Sequence, residues 1–127
     1  MRILIVIALL AHFAAFSQNR IVEFELSQAY SINDLKQYWN EKNIPFIMAP
    51  VNYDVAVYQV IYTTEWHDGT PIKASGFYFV PKTHGEPAPL LAYHHGTRLE
   101  RRPQWHLGGE ETLCMIFATS GYAVLMP

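Results

Sequence analysis

The residues best suited to chemistry stand together at the end of one apolar run. In "LLAYHHGTRLERRPQW" (Leu90 to Trp105), that run stops at His94, His95, Gly96 and Thr97, and an arginine-rich loop follows. Two imidazoles, a glycine and a hydroxyl at a strand end admit three readings: a metal site, an oxyanion hole or turn chemistry. Adjacent strand residues point to opposite faces, so His94 and His95 are badly placed to chelate one ion. His67, His84 and His106 are scattered over loops, and neither His-x-His nor His-Glu-x-x-His spacing occurs. No metal and no cofactor is expected. A glycine just past a strand's carboxyl end lets the chain turn with its N–H groups free, and that end of an open α/β sheet is where ligands bind. Acyl transfer needs backbone donors aimed at the developing oxyanion, each contributing roughly 2.7–4 kcal/mol. Gly96 and Thr97 are the candidate donors, with His95 bracing the loop. On spacing alone, a turn whose polar groups satisfy local backbone stands level with that reading.

The neighbouring segments must position this cluster. Ser31 to Asn43 reads as a helix, with Ser31 as its cap and Asp34 at the third helical position, able to reach back. Leu35, Tyr38 and Trp39 share one face of it, and Pro45 prevents continuation. Residues 18 to 30 show no clear pattern. Tyr53 to Trp66 reads as a strand. Val55, Val57, Gln59 and Ile61 line one side and Ala56, Tyr58, Val60 and Tyr62 the other, which predicts cover on both faces. Asp68-Gly69 is a hairpin turn, and Ile72 to Pro81 returns as the antiparallel partner. "PLLAYHHG" is a short strand, and "GEETLCMIFATSG" is a helix with Glu110 and Glu111 near its N-terminus. Leu113, Ile116, Phe117 and Ser120 share a face of this helix, and Gly121 stops it. "YAVLMP" is another apolar strand, so the last three elements form a βαβ unit with parallel pairing.

Composition narrows the class. Of the 127 residues, 50% are hydrophobic and 16% charged, with a formal net charge of −2. That is a globular composition, and it lacks the basic face nucleic-acid binding requires. "MRILIVIALLAHFAAFSQ" reads as a secretory signal peptide over residues 1–17. Arg2 is its positive end, Ile3 to Phe16 its apolar core, and Ala15-Phe16-Ser17 its cleavage site. About 14 apolar residues fall short of the roughly 20 that span a bilayer, so a stable membrane anchor is not expected. Cleavage removes Arg2 and no acid, leaving a secreted or periplasmic chain one unit more negative. Cys114 is the single cysteine. It excludes an intrachain disulfide and reads as a buried small hydrophobe.

The hairpin strand "KASGFYFVP", the strand end Tyr93-His94-His95-Gly96-Thr97, and the stretch Ala118, Gly121, Tyr122, Val124 and Pro127 occur in that order. Together they resemble the N-terminal section of secreted α/β-hydrolases, the secretory lipases and related bacterial serine esterases and peptidases. The resemblance covers about Tyr53 to Pro127. It implies a Ser–His–Asp/Glu triad on a doubly wound sheet, and an oxyanion hole shared between this loop and the N–H after the nucleophile. His95, Gly96 and Thr97 match the oxyanion side, with Gly96 and Thr97 ranked ahead of His95. The nucleophile elbow Gly-x-Ser-x-Gly does not occur. Ser17, Ser27, Ser31, Ser75 and Ser120 all lack that context, and the family's acid and base follow the nucleophile.

The expectation is therefore an incomplete α/β domain. Residues 1–17 are a leader, 18–52 a helical or irregular segment, and 53–127 the N-terminal portion of an α/β-hydrolase sheet, an antiparallel hairpin followed by βαβ. When complete it would hydrolyse a small-molecule ester, a lipid or a peptide; residues 1–127 alone would be silent. The rival reading is a small secreted β-rich binding module that uses its aromatic surface. Arg98, Arg101 and Arg102 read as a solvated loop before they read as an anion site, and Trp105 as a pocket wall or a loop anchor.

Overall fold

The computed structural model describes residues 20–96 and 105–127. The expected leader, Thr97 and the three loop arginines lie outside the described residues. Five strands, β1 (Ile21–Tyr30), β2 (Val55–Glu65), β3 (Pro71–Pro81), β4 (Leu90–Ala92) and β5 (Ala123–Met126), form one sheet. Among the described residues, two helices, α1 (Ile32–Lys42) and α2 (Glu110–Thr119), accompany it.

The sheet order is β1-β2-β3-β5-β4. Pairing is antiparallel from β1 through β3 to β5, and parallel between β4 and β5. The hairpin and the parallel βαβ unit therefore stand as the sequence reads them, with β5 inserted between β3 and β4. The hairpin turn closes with Trp66 N–H donating to Thr70 O at 2.8 Å, while Gly69 takes φ +84°. The segment 18–52 differs from its expectation, because residues 21–30 form a ten-residue edge strand. Val22, Phe24 and Leu26 do alternate with Glu23 and Glu25, but register shifts at Ile21/Glu23 and Leu26/Gln28 break the period.

Helix α1 begins at a full capping box. Asp34 N–H donates to Ser31 Oγ, and the Asp34 carboxylate accepts the Ser31 N–H at 2.8 Å. The Ser31 hydroxyl donates to the same carboxylate at 2.7 Å; that bond first, and the Ser31 N–H second, hold the exposed Asp34 carboxyl below its ordinary value. The helix ends at Asn43, in the left-handed region. Leu35 and Trp39 are fully buried, and the Trp39 indole donates to Ala49 O at 2.9 Å.

Both helices pack on one face of the sheet. Val57, Phe79 and Val124 are aligned across β2, β3 and β5, and they join Leu35, Trp39, Cys114, Met115 and Ala118 in one core. The buried side of α2 is Glu111, Cys114, Met115, Ala118 and Thr119, while Leu113 and Phe117 are exposed. Cys114 is buried as expected, its sulfur 3.8 Å from Met126 Sδ.

The expected cover of β2 on both sides is also not what the described residues provide. On the face away from the helices, Leu26, Tyr58, Tyr78, Leu125 and Ala92 are register partners in one row across all five strands. Leu26 is 59% exposed, and Phe24 lies half-exposed beside Tyr58, stacked at 4.6 Å between ring centroids.

Candidate active site

Parallel pairing of β4 with β5 brings the carboxyl end of β4 to the amino end of α2. Tyr93 extends the ladder by one bond, its N–H donating to Leu125 O at 2.8 Å. His94, His95 and Gly96 then leave the sheet and are exposed. His95 Nδ1 stands 2.6 Å from Gly96 O; a carbonyl only accepts, so the Nδ1–H tautomer is the one that bonds. The imidazole thus braces the strand end locally.

The Gly96 N–H is not free. It donates to Glu110 Oε1 at 3.1 Å, and the Tyr93 hydroxyl donates to the same oxygen at 3.4 Å. Glu110 is the first residue of α2, where the helix dipole favours a carboxylate. Its N-cap, Gly109 at φ +55°, supplies no side-chain cap. Of the three loop candidates, Gly96 bonds to Glu110 and His95 to Gly96; Thr97 lies outside the described residues. Gly96 itself does not occupy the left-handed region. Among the described residues, a Cβ added there would meet only Glu110 Oε1, at 3.5 Å.

Sequence reasoning placed Glu110 and Glu111 merely as helix-start acids. It missed that Glu110 reaches the strand end and that Glu111 is 3% exposed. The available signal was the pair of acids directly after Gly108-Gly109, on a helix that must start beside β4.

Trp105 is a loop anchor. Its ring meets Phe77 and Phe79 edge-on at 5.0 and 5.5 Å, and its indole donates to the Tyr30 hydroxyl at 2.9 Å. Burial raises the Tyr30 phenol above its ordinary value; the indole bond opposes this, and nearby Tyr38 adds to it. Tyr38 in turn lies 3.3 Å from Leu107 O and from Thr112 Oγ1. The segment from Trp105 to Leu107 is therefore pinned to β1, β3 and α1.

Ser75 lies within β3, and Ser120 is the C-cap of α2, its hydroxyl donating to Ile116 O at 2.8 Å. Both are structural positions. Among the described residues, no three His, Cys, Asp or Glu side chains gather as metal ligands.

No protein-family model matches the sequence, and no curated protein matches it. Solved structures do resemble it. A protein of Legionella pneumophila assigned as a hydrolase superposes with a TM-score of 0.71 at 24% identity, over 86% of this chain and 30% of its own. The rice cell wall degrading esterase LipA from Xanthomonas oryzae superposes at 0.63 with 19% identity, over 87% of this chain and 28% of its own. A ligand-bound form of LipA gives the same TM-score at 18% identity, over 84% and 28%. The chain spans less than a third of the structures it resembles. Its fold is the α/β fold of part of those hydrolases, a mixed five-stranded sheet with two helices.

Proposed function

We propose that this chain is the N-terminal portion of a secreted serine hydrolase of the α/β type, which cleaves carboxylic esters through an acyl-enzyme. The observation that carries the reading is the strand end itself. A parallel βαβ unit delivers His95 and Gly96 to the carboxyl edge of the sheet, where ligands of such folds bind. Gly96 supports it further. Neither its φ nor its described neighbours require a glycine, so its smallness suits close approach by a ligand. The likeness to an esterase and to a second hydrolase supports the reaction class. In this reading the nucleophile, base and acid come from outside residues 1–127. Thr97 supplies the loop's oxyanion donor, since the Gly96 N–H is already bonded, and residues 1–17 direct export. Whether the ester belongs to a lipid or to a smaller molecule is decided beyond this segment.

The test is hydrolysis of short- and long-chain nitrophenyl esters by the full-length gene product recovered from culture medium or periplasm. Turnover by the exported protein, inhibited by a serine-directed phosphonate, is the expected result. An exported protein without turnover on any acyl ester would contradict it.

A further inference from the structure

We propose that Glu110 is a positioning residue, the clamp that fixes the His95–Gly96 strand end against helix α2; its catalytic consequence rests on the hydrolase reading above. One carboxylate oxygen receives the Tyr93 hydroxyl and the Gly96 N–H, at 3.4 and 3.1 Å. These two donors flank His94 and His95, so a single acceptor ties down both ends of the segment. Tyr93 is itself locked to the sheet through Leu125 O, and Glu110 is locked to α2 as its first residue. The segment between them is thereby referenced to the sheet and to the helix at once. His95 adds a third restraint through Gly96 O. A backbone donor acts on a developing oxyanion only if its direction is fixed before the charge appears. A displacement of the order of 1 Å in such a group costs about a hundredfold in rate. Without the carboxylate, the contact left to hold Gly96 among the described residues is the local one from His95. Nothing in the hydrolase reading requires an acid at this position.

Three variants of the full-length protein, Glu110→Ala, Glu110→Gln and Glu110→Asp, test the clamp with two readouts. The first is hydrogen exchange at the Gly96 amide. Glu110→Ala should speed it about tenfold or more, as loss of a bond to a charged acceptor predicts. Glu110→Gln keeps an acceptor oxygen in place and should retain most of the protection. Glu110→Asp keeps the helix-start charge but withdraws the oxygen by one methylene, so it should behave like Glu110→Ala with the helix intact. The second readout is ester turnover. kcat should fall about tenfold to a hundredfold in the Ala and Asp variants with KM little changed, and Glu110→Gln should restore most of it. Unchanged Gly96 exchange in a folded Ala or Asp variant would overturn the clamp. Faster exchange with undiminished kcat would overturn its positioning role. A wild-type protein with no ester turnover would sink the hydrolase reading, and the catalytic role with it, while the exchange data would still decide the contact.

Discussion

At Gly96 the proposed reading separates stability from activity. An added methyl would sit 3.5 Å from Glu110 Oε1, an ordinary van der Waals distance, and the backbone is outside the left-handed region. Gly96→Ala should therefore change unfolding free energy by no more than about 0.5 kcal/mol. Under the proposed hydrolase reading it should still lower ester turnover by about tenfold or more, by crowding the loop that reading assigns to the oxyanion. Denaturant unfolding beside kcat measurements on the full-length protein checks both halves. Gly76 is the opposite case. A Cβ there would lie 2.5 Å from Met126 O and 2.8 Å from Pro127 Cα, both backbone atoms that cannot swing aside. Gly76→Ala should cost about 1–3 kcal/mol, the range of overpacking, because β3 and the end of β5 must part. A lowered midpoint in urea with an unchanged slope would show it; an unchanged midpoint would contradict the close approach.

The elements differ in how plainly the sequence announces them. The start of α1 was legible because the Ser31-x-x-Asp34 spacing satisfies two orphan backbone donors at once, and both bonds are present. Ser31→Ala should cost about 1 kcal/mol, readable by thermal or denaturant unfolding. The same box predicts a pH effect. The folded Asp34 carboxyl lies below its ordinary 3.8. Its stabilising contribution is therefore complete above that value and lost as pH falls through the lower folded value. Below about pH 4 the stability of Asp34→Asn should vary less steeply with pH than wild type; equal slopes would contradict the assignment. The β2–β3 hairpin and the βαβ unit were legible for similar local reasons: Asp68-Gly69 demands a turn, and an apolar strand, a helix and another apolar strand demand a crossover. The packing face of α2 was not legible. The helix buries the strip Glu111, Cys114, Met115, Ala118 and Thr119, while Leu113 and Phe117 stay out, and no periodicity of apolar residues marks that strip. Strand β1 was hidden by its two register shifts and by its place at the sheet edge, where both faces of the strand remain exposed. Within the site, the loop residues could be named from their types. The Glu110 contact joins positions 14 apart through a fold that had to be seen first.

On the scale of the whole molecule, one sheet face carries both helices and the other carries an apolar row from Leu26 to Ala92 that no described helix covers. An apolar sheet face is ordinarily buried against another layer. The hydrolase structures that share this fold are more than three times as long as the part this chain matches. Both facts agree with a reading in which a larger domain supplies the second layer and the triad together. That reading makes one sharp demand: the nucleophile cannot be Ser75 or Ser120, which are fixed in a strand and at a helix end. The most direct test is to label the full-length gene product with a fluorophosphonate and locate the modified residue by peptide mass spectrometry. The account predicts a single labelled serine in a Gly-x-Ser-x-Gly sequence outside residues 1–127. No labelling of the folded protein, or labelling at Ser75 or Ser120, would contradict it.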